Sequence, residues 1–430
     1  MKQHWLSLMT ILMLVVLTAC GPGRGDVQTS APKPEEETST PAASDESPEK
    51  PASLSVWVND EETQREALES IFTSFEEDTG IQVETTPINM LDQVEALALD
   101  GPSGNGPDLF FQPHDRIGNI VLQNLAAPID LGDAETDYTE NALKAVTYEG
   151  ETYGIPMVVE TYATYYNKAL VDAPETMEDV TAAAESLTNA ANNEYGFLME
   201  AANLYFSYPF FAGFGAYVFG HNEETGYDAA DIGLANEGAI EGGQLISSWY
   251  ENGYIPVEVN PDIINGLFAE GKVGIVINGP WALPDYQKGL GENLGTAPLP
   301  KLSNGNVPVS FVGVKSWMVN SYSENQHWAI ELAKYISNEE NSNHYFEVAG
   351  EMPANKSALE GDVITSNEYI QAFAEQVSYG EPMPSIPAMQ QVWEPFNNAL
   401  LFIAQGEDVE ASLTDAKNTI QTNIEMSQGQ

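Results

Sequence analysis

From residue 54 onward, short apolar runs alternate with amphipathic stretches. Leu54-Ser55-Val56-Trp57-Val58 is a buried run of strand length, after which Leu68, Ile71, Phe72 and Phe75 recur at helical spacing. Asp78-Thr79-Gly80 stops that helix and Ile81-Gln82-Val83 opens a second strand. Strand, helix and strand in this order form a βαβ unit and imply a parallel sheet. Pro107-Asp108-Leu109-Phe110-Phe111 reads as a further strand, followed by a helix carrying Ile117, Ile120 and Val121. Val273 to Ile277 is another strand, stopped by Asn278-Gly279-Pro280. Met389, Val392, Trp393, Phe396, Leu400 and Ile403 form a helical stripe, with Pro395 in its first turn or at a kink. Val409, Leu413, Ala416 and Ile420 mark a last helix. The class is α/β, without internal repeat.

The first twenty residues follow another pattern. Lys2 supplies a positive start, Leu6 to Leu17 is apolar, and the chain continues Leu17-Thr18-Ala19-Cys20. This describes a secretory signal, too short to span the ~30 Å hydrocarbon layer as a mature helix. Leu-Thr-Ala-Cys resembles the lipobox of bacterial lipoproteins, which implies that residues 1–20 are a lipoprotein signal and that Cys20 is lipidated. The alternative is an ordinary secretory signal with a cysteine beside its cleavage site. Residues 21–52 are rich in Pro, Ser, Thr, Glu and Gly and read as a disordered tether.

Composition narrows the class. Cys20 is the single cysteine, so no disulfide within the chain supports the fold. The body that remains exceeds the ~250–300 residues a single core supports, so two domains are expected. The chain carries 65 acidic against 15 basic residues, a formal net charge of −50. Such a surface repels nucleic acid and anionic lipid, and neither is expected as a main partner.

Most catalytic and cofactor motifs fail. The five histidines, His4, His114, His221, His327 and His344, form no metal pair at helical spacing. Gly101 and Gly106 have the outer spacing of a phosphate loop, but Pro107-Asp108 stand where Lys-Ser or Lys-Thr is required. Asp133, Glu135 and Asp137 alternate like a calcium loop, but Tyr138 takes its glycine position. Gly213-Phe214-Gly215 lacks the third glycine of a dinucleotide turn. No cofactor is expected. The catalytic option left is a carboxylate pair, Asp115 with Glu160 in a secreted glycoside hydrolase.

A binding constellation survives. Asp115-Arg116 follow the strand at 107–111, at the end where open α/β sheets hold ligands. A carboxylate accepts two hydroxyl protons and a guanidinium presents a fork of donors, which suits a sugar. By spacing alone, a salt bridge closing a loop fits the pair better. An apolar strand delivers Glu160 into the tyrosine-rich segment Thr161 to Lys168. Aromatics recur at expected loop positions: Tyr205 to Pro209, Trp281 after Gly279-Pro280, and Trp393 after Ile386-Pro387. Pyranose faces carry C–H groups that pack on flat rings, so rings interleaved with carboxylates suit an uncharged oligosaccharide; each ring alone equally suits a core.

The body resembles the maltose/maltodextrin-binding proteins, solute receptors of ATP-driven sugar importers, in their Gram-positive lipoprotein form. The matching stretches are 107–116, Ile155 to Glu160, Tyr166-Asn167-Lys168, Ile277 to Ala282, Phe311 to Val314, and Met383 to Met389 with Trp393, in the family's order. The resemblance implies two α/β lobes, each a mostly parallel sheet flanked by helices, with the ligand between them. Residues 53–159 with 315–366 would form the N-terminal lobe, and 160–314 with 367–430 the C-terminal lobe. It implies sugar contacts from Asp115, Arg116 and Glu160, and ring platforms at Tyr205, Trp281 and Trp393. Glu61, Gln112 and Glu394 join the expected site, although they depart from the best-known enterobacterial receptor: Gln112 replaces a stacking Trp and Glu394 a Tyr. Asn203 and Asn397 likewise replace an acid and an Arg. The implied protein is a monomer without enzymatic activity on the outer face of the cytoplasmic membrane, lipid-anchored, passing maltose or malto-oligosaccharides to the permease subunits of an ABC importer. Alternatives are a same-fold receptor for a cyclodextrin or galacto-oligosaccharide, and the hydrolase above.

Scattered carboxylates with little lysine suggest a saline or alkaline habitat. Screening of this self-repulsion predicts a stability that rises from low to molar salt, measurable by far-UV circular dichroism.

Overall fold

The computed structural model describes residues 48–222 and 226–428. The signal segment, Cys20 and the tether as far as residue 47 lie outside the described residues. Among the described residues no helix is long and apolar enough to cross a membrane.

The first βαβ unit forms where the apolar spacing places it. Strand Ser53–Val58 leads into helix Glu62–Thr79, which buries Leu68, Ile71, Phe72 and Phe75 on one stripe. Gly80 ends the helix with φ +78°, a left-handed conformation that favours glycine, and its N–H bonds to Glu76 O at 2.8 Å. Strand Gln82–Pro87 then pairs in parallel with the first, Val56 opposite Thr85. Leu109–Pro113 pairs in parallel on the other side, Val56 opposite Leu109. The Asp108 carboxylate steadies this edge, accepting from the Ser55 N–H at 2.9 Å and from the Ser323 hydroxyl.

The long strand Phe311–Val319 continues this sheet, antiparallel to Leu109–Pro113 and to Ile155–Glu160. A second sheet follows the order 294–297, 163–167, 273–278, 195–198. Strand Ala163–Asn167 runs antiparallel to both of its neighbours, while Tyr195–Leu198 and Val273–Asn278 pair in parallel. Both sheets are therefore mixed, because a chain that crosses from one to the other and returns must reverse direction.

Two crossings between strands join the sheets, and the chain passes over once more between Ala354 and Ile364. Ile155–Glu160 passes through Thr161 and Tyr162 into Ala163–Asn167, and the chain returns at Phe311. The crossings are tied side by side: the Thr161 hydroxyl donates to Phe311 O at 2.9 Å, and the Phe311 N–H donates to the Tyr162 hydroxyl at 3.1 Å. Separate apolar cores lie on either side. One runs from Tyr162 to Leu302 and takes in the C-terminal helices as far as Ile424. Two others gather residues between Leu54 and Val158 with residues between Val314 and Ala354.

Two sequence expectations change. The segment at Tyr205 is not a loop but the first turn of helix Leu204–Ala212, capped by the Asn203 side chain, which accepts from the Tyr205 N–H. The stripe from Met389 to Ile403 is two pieces, a 3-10 turn Pro387–Gln391 and helix Trp393–Ala404. Pro395 falls in the first turn of that helix, where its missing N–H has no intrahelical partner to lose.

At the N-terminal end of the described chain, Trp328 Nε1 donates to the carbonyls of Pro48 and Glu49 at 3.2 and 3.1 Å. Lys50 reaches Thr79 O at 3.1 Å, with its ammonium over the Trp328 ring.

Gly118 lets its helix approach the segment before Trp393: its N–H bonds to Ser385 O, and a Cβ there would lie 2.7 Å from both Ser385 O and Pro387 Cδ. Gly118→Ala should lower stability by about 1–3 kcal/mol, read as a lower denaturant midpoint.

Candidate functional site

Strand Leu109–Pro113 ends in a 3-10 turn, His114–Arg116, which sets three polar side chains in different directions. His114 is buried; its Nδ1 accepts the Val314 N–H at 3.1 Å, so Nε2 carries the proton that faces Met383 O at 3.1 Å. Burial holds the imidazole below its ordinary pKa, consistent with a neutral ring clamping the crossing strand. Asp115 points the other way. Its Oδ2 accepts from Trp393 Nε1 and from the Gln390 amide, each at 3.3 Å. Arg116 extends to Leu91 O at 2.7 Å and, among the described residues, forms no ion pair with Asp115.

A run of rings leads from Asp115 into the second lobe. Trp393 meets Phe311 edge-on at 6.1 Å between centroids, and Tyr205 lies 6.5 Å from both Phe311 and Trp281. Tyr208 stacks on Phe311 at 3.8 Å and 4°, so Phe311 is braced from behind. The Tyr205 hydroxyl is buried without a hydrogen-bond partner. Burial pushes it well above the ordinary phenol range, and Glu160, Tyr162, Asp115 and Glu351 push the same way. Three carboxyls, those of Asp115, Glu160 and Glu351, thus act on this one phenol.

Glu160 closes the set. It stands opposite Gly313 on the long strand, where a Cβ would come within 2.9 Å of Glu160 Cγ. Lys315, two residues on and on the same strand face, brings Nζ to 2.7 Å from Glu160 Oε2 and 2.5 Å from Glu351 Oε1. Side-chain exposure of Lys315, Glu160 and Glu351 is 4%, 6% and 0%, so this triad lies out of water. Burial raises the Glu160 carboxyl, with Glu351 and Asp115 acting in the same sense, while the Lys315 ammonium pulls it back. The two glutamates more than offset the burial that disfavours the charged amine, leaving Lys315 above its usual range. The Lys315 ammonium also lies 5.1 Å from the Trp281 ring centroid. Glu351 is held by the Tyr345 hydroxyl at 3.0 Å and the Gln64 amide at 3.2 Å.

The structure thus brings together Asp115, Glu160, Tyr205, Trp281 and Trp393. Glu61, ahead of helix Glu62–Thr79, keeps much of its surface in water, but partial shielding of its carboxyl raises its pKa, with Asp60 acting in the same sense and Lys315 pulling it back. Glu394 is exposed, one residue into its helix. Gln112 requires a correction. It is fully buried, and its amide donates to Phe111 O at 2.8 Å and also to Met90 O, turning into the first lobe, away from the rings. Arg116 likewise turns toward Leu91. Lys315, Glu351, Tyr345 and Phe311 were not foreseen. The legible signal was a lysine amid the otherwise apolar run Phe-Val-Gly-Val-Lys-Ser-Trp-Met-Val, at a position that demands a buried partner.

Two lobes tied by crossing strands, with rings and carboxyls gathered at the crossings, define a ligand-clasping receptor. The family model described as "Bacterial extracellular solute-binding protein" matches residues 70–372, and the chain belongs to that family. It is 33% identical to the galactooligosaccharide-binding protein of Bacillus subtilis (strain 168), over 95% of this chain and 94% of the relative. It is 35% identical to a maltodextrin-binding protein of the same organism, over 85% and 89%. Among solved structures, a cyclo/maltodextrin-binding protein complexed with maltotetraose is similar at 40% identity and a TM-score of 0.75, covering 88% of this chain and 99% of that one.

Tyr345→Phe removes a donor from a fully buried carboxylate and should lower stability by about 1–3 kcal/mol, measured by equilibrium denaturation.

Proposed function

We propose that this protein is a receptor that captures malto-oligosaccharides between its lobes, bound to the membrane through lipidated Cys20, and presents them to the permease of an ABC importer. The observation that carries the ligand class is the continuous run Trp281, Tyr205, Phe311 and Trp393, flanked by Asp115 and Glu160. Flat rings suit pyranose faces, and the flanking carboxylates suit hydroxyl edges. The likeness to proteins whose names and bound ligands are maltodextrins supports the same class. We place the lobe boundaries near residues 159/160, 314/315 and 366/367, the first two beside the tied crossings, so closing the lobes brings both sets of contacts onto one ligand.

The receptor binds without chemistry. In a hydrolase built on Asp115 and Glu160, one carboxyl must be free to donate a proton. Here Lys315 holds Glu160 in an ion pair at 2.7 Å, and Asp115 accepts from Trp393 and Gln390. The galactooligosaccharide-binding relative favours a second reading of the same cleft, a galacto-oligosaccharide on the same rings.

Calorimetric titration against maltotetraose, a cyclodextrin and a galactotetraose separates these ligands; maltotetraose should bind and remain intact, with no glucose released. Trp281→Ala should weaken that binding by about 1–2 kcal/mol, and unchanged affinity would remove the ring from the site.

A further inference from the structure

Lys315 stands at the junction of everything that the cleft offers a ligand. It belongs to the strand that returns from the second lobe, and its partner Glu160 ends the strand that departs for it. Gly313 clears the space for Glu160, and the shared strand face makes Lys315 its diagonal neighbour. The same ammonium faces Trp281, which rises from the 3-10 turn Pro280–Ala282 of the opposite lobe. A lysine enclosed this fully is retained when carboxylates and an aromatic face compensate its lost hydration, and all three surround it here.

We propose that Lys315 is a positioning residue of the cleft, whose ammonium keeps Glu160 an ionised hydroxyl acceptor and sets that carboxylate against the Trp281 face. This rests on the sugar-binding reading above and names a residue that governs it. A carboxylate offers acceptors to two hydroxyls, whereas its protonated form spends one oxygen as a donor. Burial, Glu351 from the loop after helix Glu339–Ala349, and Asp115 from its 3-10 turn all favour the proton on Glu160. Tyr205, from the helix of the opposite lobe, feels the same carboxyl, and burial keeps its hydroxyl neutral. Glu61 adds negative charge near Lys315 from the first lobe. The Lys315 ammonium opposes all of them.

The test is the pH dependence of maltotetraose affinity by calorimetry from about pH 5 to about pH 9, for wild type, K315M, K315R, E351Q and K315M/E351Q. Protonation of Glu160 should produce an acid limb in which affinity falls with falling pH. K315M should weaken binding at neutral pH by about tenfold or more and move that limb upward by about one to two pH units. K315R, which keeps the charge, should move the limb back toward wild type. The double variant removes the second carboxylate that K315M strands in the interior, so it carries the test if the single variant does not fold; because Glu351 also favours the proton on Glu160, its limb is read against that of E351Q, from which it should be displaced upward. Affinity profiles for K315M/E351Q and E351Q that coincide would overturn the role of Lys315 while leaving the sugar reading intact. A wild type that binds no member of the sugar panel would overturn that reading instead.

Discussion

The structure depends on how its backbone is satisfied where two strands leave one sheet for another. A strand that departs gives up its ladder partners, and a buried peptide group without a partner is costly. Here the Thr161 and Tyr162 hydroxyls take over, one donating to the Phe311 carbonyl and the other accepting from the Phe311 N–H. The crossings become a single tied unit. Because Glu160 precedes the first crossing and Phe311, Gly313 and Lys315 follow the second, the tie also fixes the centre of the cleft.

The cleft is short of positive charge. Asp115, Glu160 and Glu351 are buried, and Lys315 is the buried cation among them. Each acid therefore finds neutral donors as well: the indole of Trp393 and the amide of Gln390 for Asp115, the hydroxyl of Tyr345 and the amide of Gln64 for Glu351. This arrangement suits an uncharged ligand rich in hydroxyls. An anionic sugar would add a further negative charge to a pocket already in surplus.

Much of the fold was legible along the chain. The runs at Leu54–Val58, Leu109–Phe111 and Val273–Ile277 are too short and too apolar for surface helices, and all three are central strands. The helix holding Tyr205 was hidden because five aromatic residues and Pro209 give Leu204–Ala212 little helical propensity; its packing and the Asn203 cap outweigh that preference. The break between the 3-10 turn at Pro387–Gln391 and the helix from Trp393 was hidden because three- and four-residue spacings continue across it. Within the site, rings and acids could be singled out from local context. The partner of Glu160 could not: Lys315 is brought to it by the return crossing, and no local pattern encodes that meeting.

The grip of Trp328 on Pro48 and Glu49 has a mechanical consequence. Strand Ser53–Val58, a few residues downstream, is an interior strand of its sheet, with neighbours on both sides. A pull on the chain from upstream is thus borne first by an indole and two carbonyls, then in shear by a strand paired along both edges. Traction applied at the N-terminus is absorbed in the first lobe, and the crossings on which the lobes turn are spared the load.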